Sequence, residues 1–242
     1  IVQIGAIDEK TRALAKEHNI DLLTTEELMK VGHEHRVANV PPFAEDVCTI
    51  CYTSGTTGDP KGIVRDNAGH CVALKWTMDS VYGVDDNTIF WAASDIGWVV
   101  GHSYIIYGPL FRGITTLMFD GKPVGTPNAG AFWRVMAEHK VNVMFTAPTA
   151  FRAIRKEDPD ALYLQDYDLS KLKAVYLAGE RSDPGTLAWL QQALQKKLGE
   201  QRPYVFDHYW QTETGWAIAG PCPGLYGGHA KLQVKFGSCH RP

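Results

Sequence analysis

The chain has 242 residues, 45% of them hydrophobic and 21% charged, with a formal net charge of −3. That length is enough for one large or two small domains with a real core, and the balance is that of a globular protein rather than a disordered or fibrous one. The near-neutral charge excludes a global basic footprint for nucleic acid, and no uninterrupted apolar run is long enough to span a membrane. The segment from Ile1 to Glu9 lacks the basic and apolar blocks of a signal peptide. The first residue is not Met, which reads as a fragment or a processed product. Five widely spread cysteines suit a reducing compartment, cytoplasmic or mitochondrial matrix.

In chain order, the pattern predicts a short buried strand at 1–4, a surface helix over 8–18, and a helix over 26–31 capped by Thr24 or Thr25. Residues 32–44 read as a linker whose His33 and His35 take no ligand role. A strand over 47–51 carries Cys48 and Cys51. Strand positions three apart face opposite ways, so these read as core thiols rather than a redox or zinc pair. Ile63 and Val64 lead into a helix within 66–82, its N-terminus expected beside the preceding loop. Strands over 88–92, 114–119, 141–145, 172–177 and 204–209 alternate with helices over 100–110, 132–139, 148–156 and 184–198. Pro148 suits a first turn and Asp183 a cap. The alternation predicts an α/β fold, a mostly parallel sheet flanked by helices. Cys222, His229, Cys239 and His240 fit no standard zinc module.

The stretch Tyr52-Thr53-Ser54-Gly55-Thr56-Thr57-Gly58-Asp59-Pro60-Lys61-Gly62 carries four Ser or Thr hydroxyls, three glycines and one lysine. Glycines such as Gly55 and Gly58 let backbone N–H groups approach a polyphosphate closely. Thr53, Ser54, Thr56 and Thr57 add donors, and Lys61 adds a compact positive charge. The string is not a Walker A loop, because Lys61 follows Pro60 and precedes Gly62. In open α/β sheets ligands bind at the carboxyl ends of strands. Three segments fall at such ends and are expected to share one crevice: 53–61, Gly179-Glu180, and 210–213.

This string resembles the phosphate loop of the adenylate-forming superfamily, the AMP-forming acyl-CoA synthetases and their relatives. Asp207-His208-Tyr209-Trp210-Gln211-Thr212-Glu213-Thr214-Gly215 resembles the same superfamily's adenine- and magnesium-binding motif. Gly179-Glu180 looks like its Gly-Glu-Pro segment against adenine, with Arg181 in place of the proline. Gly97-Trp98-Val99-Val100-Gly101-His102-Ser103-Tyr104 and Thr146-Ala147-Pro148-Thr149-Ala150 resemble the acetyl- and propionyl-CoA synthetase branch.

The resemblance implies ATP-dependent activation of a short-chain carboxylic acid to acyl-AMP and then acyl-CoA, releasing AMP and pyrophosphate. ATP, Mg2+ and CoA would serve as cofactor or co-substrates. By the same resemblance, Lys61, Thr212 and Glu213 act in catalysis, with Glu213 also the magnesium ligand. Asp207, His208, Tyr209, Trp210 and Gln211 line the adenine side. Trp98, Val99, Val100 and Trp210 shape the acyl pocket, where a tryptophan at 210 shortens the tunnel. Val100 stands where acetyl-CoA synthetases often carry threonine, which favours propionate.

Two departures belong to this reading. The segments 21–28 and 45–50 look more like the lead-in to the phosphate loop of long-chain synthetases, so the chain reads as a possible hybrid joined at the shared motif. The family also continues beyond Pro242 into a ribose-binding aspartate and a small C-terminal domain carrying a catalytic lysine. The chain is therefore expected to be a partial AMP-binding domain over 1–242. The alternatives are a non-catalytic nucleotide- or acyl-adenylate-binding fragment, or a segment of a medium- or long-chain synthetase.

Overall fold

The computed structural model describes residues 1–53, 58–232 and 238–239. The chain divides into two compact units, Ile1–Pro42 and Phe43–Pro242.

In the first unit, β1 (Val2–Gln3) pairs in parallel with β2 (Leu23–Thr24), and α1 (Glu9–Glu17) and α2 (Thr25–Glu34) follow the two strands. Both helices start where the sequence places a cap. Asp8 accepts a hydrogen bond from the Thr11 amide at 2.7 Å. The Thr24 hydroxyl accepts one from the Glu27 amide at 3.1 Å, and the Glu27 carboxylate accepts the Thr24 amide at 2.7 Å. That reciprocal box satisfies two N-terminal donors. It also starts a helix strong enough to run through Gly32 to Glu34, where a linker was expected. The strand expected to be buried is not: Ile1 is 73% and Ile4 92% exposed. Neither helix of this unit has a buried residue, so the strand has no layer to be buried under.

The second unit opens with a hairpin, β3 (Val47–Thr53) and β4 (Lys61–Asp66), in continuous register from Thr53 opposite Lys61 to Thr49 opposite Arg65, with a register shift before Val47 stands opposite Asp66. Helix α3 (Asn67–Ser80) begins directly after β4. Its N-terminus therefore lies at the far end of the hairpin from the loop, about 17 Å along the strand at the usual rise per residue. The expectation that this helix end sits beside the phosphates is corrected by the antiparallel return. Cys48 and Cys51 are half-exposed free thiols, not core residues, because the hairpin forms its own two-stranded sheet.

The main sheet then forms in the predicted alternating order. It runs β5 (Ile89–Ala92), a π-helix (Gly101–Tyr107), α4 (Gly108–Arg112), β6 (Thr115–Thr116), α5 (Ala131–Glu138), β7 (Val143–Thr146), α6 (Pro148–Glu157), β8 (Ala174–Leu177), α7 (Pro184–Leu198) and β9 (Tyr204–Asp207). The five strands are ordered β6-β5-β7-β8-β9 and all pair in parallel. Alternate residues feed two cores. Trp91, Met144, Val175, Leu177 and Val205 pack with Phe132, Trp133, Phe151, Leu187 and Leu190 of α5, α6 and α7. Phe90, Val143, Phe145, Tyr176 and Phe206 pack with Leu74 and Met78 of α3 and with Tyr104 of the π-helix. Burial on both faces explains why these strands read as near-continuous apolar runs.

The strand expected over 204–209 divides at His208. Its continuation, β10 (Tyr209–Trp210), pairs antiparallel with β11 (Ala217–Ala219), before a short α8 (Pro223–Tyr226). Edge strand β6 is only two residues long, shorter than the run of β-formers over 114–119 suggests.

Candidate active site

The chain leaves β5 toward one face and β7 toward the other, so the sheet has its switch point between them. Ligand crevices in such sheets open there, beyond the carboxyl ends. A cavity of about 690 Å³ lies at this position. Its walls are the segments after β5 (Ser94, Trp98, Val99, Val100), after β7 (Thr146, Ala147, Thr149), after β8 (Ala178, Gly179, Glu180) and after β9 (Trp210, Gln211, Thr212, Glu213), with Phe145 at the base. A second cavity of about 720 Å³ adjoins it, sharing Ser94, Thr146, Ala147 and Thr149 and extending past Met118 to Pro123.

Two of the three expected segments therefore meet here, and the acyl-pocket segment joins them. Trp210 is half-buried, its ring 5.4 Å from Tyr104 and 6.0 Å from Phe145, so the indole is braced at the cavity wall. Trp98 is 68% exposed and flanks the same wall. Of the loop, Ser54, Gly55, Thr56 and Thr57 lie outside the described residues. Thr53, Gly58 and Lys61 stand at the tip of the β3–β4 hairpin, with Lys61 exposed, and are not among the residues walling this cavity.

Asp207 and His208 lie beneath the wall, not on it. Asp207 is 5% exposed and accepts the Ser182 hydroxyl at 2.9 Å. His208 is 3% exposed. Its Nδ1 lies 2.9 Å from the Leu177 carbonyl and its Nε2 3.1 Å from the Tyr82 hydroxyl. A carbonyl can only accept, so the imidazole carries its proton on Nδ1 and accepts from Tyr82 on Nε2. Burial drives the His208 pKa down to about 4, and burial of Tyr104 pushes its phenol up to about 12. Tyr209 is 47% exposed and shares a hydrogen bond with the Gln211 amide. Arg181 is exposed and is not among the residues walling the cavity.

Sequence reasoning missed the side chains that hold these segments in place. Arg152 of α6 donates to Glu180 at 2.5 Å and lies 3.7 Å from Asp183. Ser103 of the π-helix donates to the Gly215 carbonyl at 2.7 Å. Arg65 of β4 donates to the Thr212 carbonyl. The turn at 211–215 is closed by Gly215, whose φ of +78° favours glycine and whose amide donates to the Gln211 carbonyl at 3.0 Å. Only the contact across the fold, not residue type, marks these partners.

Among the described residues no three His, Cys, Asp or Glu side chains converge as a closed metal site. Mg2+ does not require one, since it keeps several waters and is held by one or two carboxylates plus substrate phosphates. Glu213, exposed on the cavity wall beside Thr212, fits that role. Glu180 is engaged by Arg152.

A parallel α/β sheet whose strand-end cavity is walled by a hydroxyl–carboxylate turn is the framework of a nucleotide-binding enzyme. The chain belongs to the AMP-binding enzyme family, which it matches across residues 3–239. It is 49% identical over 217 residues to the mouse protein named acyl-CoA synthetase short-chain family member 3, mitochondrial, covering 90% of this chain and 30% of that protein. Against the human protein of the same name it is 53% identical over 186 residues, 77% of this chain and 26% of the relative. Against the propionate–CoA ligase of Salmonella typhimurium it is 45% identical over 188 residues, 76% and 28% respectively. These names bear out the resemblance to the acetyl- and propionyl-CoA synthetase branch. The chain spans less than a third of the length of these curated relatives.

Proposed function

We propose that this chain forms the nucleotide- and acyl-binding core of an ATP-dependent ligase that activates a short-chain acid, propionate in preference to acetate. A carboxylate oxygen attacks the α-phosphorus of ATP, and the bond to the bridging oxygen breaks to release pyrophosphate. A thiolate of CoA then attacks the acyl carbon and AMP leaves. The observation that carries this reading is the single cavity walled by Gly179-Glu180, by the turn from Trp210 to Glu213, and by Trp98 to Val100.

The first step joins two anions, so its barrier is largely electrostatic and orientational. In this reading Lys61 and the hydroxyls of 53–57 hold the β- and γ-phosphates. Thr212 orients the α-phosphate, and Glu213 holds Mg2+, which would neutralise phosphate charge when bound. Trp210 closes the acyl end. In the same reading the adjoining cavity along Thr146 and Thr149 is the route by which the thiol would reach the acyl carbon. Five cysteines and a relative named as mitochondrial favour a reducing compartment, the mitochondrial matrix or the cytosol.

Calorimetric titration of the chain with non-hydrolysable acetyl-, propionyl- and hexanoyl-adenylate analogues tests the reading. Saturable binding, tightest for propionyl and at least tenfold weaker for hexanoyl, is the expected result. Equal affinity across the three would remove the short-chain assignment, and no binding to any would remove the site. Carboxylate-dependent pyrophosphate exchange, run in parallel, separates a catalytic chain from a binding module: binding without exchange supports the second.

A further inference from the structure

Lys61 and the turn at 211–215 are remote in sequence, and one side chain joins their supports. Arg65 stands four residues after Lys61 on β4, so both side chains lie on the same strand face, about 13 Å apart along it. Arg65 is only 7% exposed. Its Nη2 donates to the Thr212 carbonyl, while its buried Nε has no hydrogen-bond partner among the described residues. A Cβ built on Gly215 would come within 2.6 Å of that Nε. The glycine thus serves both the turn's left-handed backbone and the seat of the guanidinium.

Arg65 does not wall the large cavity. It lines a smaller one of about 410 Å³ behind the turn, with His70, Asp66 and the back of Glu213. Among the described ion pairs none involves Arg65. Burial, and then the Arg65 charge, push the neighbouring His70 imidazole below its usual pKa. The cation therefore sits behind Thr212 and Glu213 in a cavity that the carboxylate residues Glu45, Asp66 and Glu213 also line. On the opposite side, Ser103 holds the Gly215 carbonyl.

We propose that Arg65 is a positioning residue that locks the Thr212–Gly215 turn to the hairpin carrying the phosphate loop. The lock makes the α-phosphate and metal side of the site move as one piece with the β- and γ-phosphate side. The ligand half of this statement rests on the proposed function; the mechanical half does not.

The test uses the whole chain with Arg65→Met, which keeps the stem but removes charge and donors, and Arg65→Lys, which keeps one donor and the charge. Hydrogen exchange of the amides of 213–215 is measured without ligand, and affinity for Mg·ATP and for AMP is measured by calorimetry. Thermal unfolding is monitored as a fold control. Arg65→Met is expected to speed exchange at those amides at least tenfold and to weaken Mg·ATP at least tenfold more than AMP, with Arg65→Lys restoring most of both.

A double substitution with Lys61→Ala should weaken Mg·ATP by less than the product of the two single effects, since the two residues act through one body. Unchanged exchange at 213–215 in a folded Arg65→Met chain would overturn the lock, whatever ATP does. Unaltered Mg·ATP affinity with faster exchange would overturn the coupling to phosphate. If the wild-type chain fails to bind Mg·ATP, the functional reading falls and the exchange data alone decide whether Arg65 holds the turn.

Discussion

Trp210 stands on the cavity wall, and in the proposed reading it bounds the acyl group. Its ring is held against Tyr104 and Phe145, so it cannot swing away to lengthen the pocket without breaking two ring contacts. Each buried methylene is worth about 0.8 kcal/mol, so a hexanoyl chain that found room would gain up to about 60-fold over propionyl from three extra methylenes. A short-chain site must therefore reject longer acids by steric exclusion rather than by weak attraction. Trp210→Gly is expected to reverse the order of the adenylate analogues. Hexanoyl affinity should rise at least tenfold, and propionyl should fall a few-fold as its wall is lost. Calorimetric titration reads both, and an unchanged ranking would show that the indole does not bound the acyl group.

At the scale of elements, α7 is the clearest product of local chemistry. Asp183 accepts the Thr186 amide at 2.8 Å and Pro184 occupies the first turn. The Thr186 amide bond is the main cause holding the Asp183 carboxyl below its usual pKa, with the Arg152 cation a smaller one. Asp183→Ala should lower stability by about 1 kcal/mol, and Asp183→Ser by less than half of that, read as a shift of the urea midpoint at constant slope. Capping signals of this kind, the apolar runs of the central strands, and the hydroxyl–glycine–lysine string were all legible because each is a dense pattern within a few residues.

What was not legible depends on contacts that sequence spacing does not encode. The end of β9 at His208 follows from a side chain committed to Leu177 and Tyr82 while the backbone departs to pair with β11. The position of α3 follows from the hairpin returning away from its own loop. Of the candidate site, the walls from Gly179 to Glu180 and Trp210 to Glu213 came from motif and strand-end logic together. Arg65, Ser103 and Arg152, which hold those walls, are an arginine on a strand, a serine in a π-helix and an arginine on a helix, unremarkable until the fold brings them across.

At the scale of the whole molecule, the core on the α3 face of the sheet meets the site through one aromatic hub. Tyr82 is fully buried and lies edge-on to Phe90, Tyr104, Tyr176 and His208. Its hydroxyl donates to His208, and its carbonyl lies 3.2 Å from Nε2 of His229, the donor there. Both histidines are buried, and burial drives each pKa down to about 4. Each is therefore neutral in the folded chain at pH 7 and already neutral in the unfolded chain above the ordinary value of about 6.5.

Between pH 6.5 and about 4 the unfolded chain takes up a proton at each position that the folded chain refuses. Stability is then fully present above pH 6.5 and declines as the pH falls, by up to about 1.4 kcal/mol per pH unit for each histidine. Below the folded-state value both states are protonated and this slope vanishes. The ordinary carboxylates titrate mainly at the bottom of this window, so a decline that begins near pH 6.5 belongs to the buried histidines, His208 and His229 together with His70, which burial also holds below its usual value. Urea midpoints measured from pH 7.5 to 4.5 should show it. Replacing His208 and His229 by glutamine, which can donate to the same carbonyl and, at 208, accept from Tyr82, should flatten the upper part of the curve while lowering stability at pH 7 only modestly. If the glutamine chain keeps the wild-type slope between pH 6.5 and 5, the buried pair is not what couples this fold to protons. Because His208 lies directly under the Trp210–Glu213 wall, loss of ligand affinity over the same pH window would mean that the proton loosens the site before it unfolds the chain.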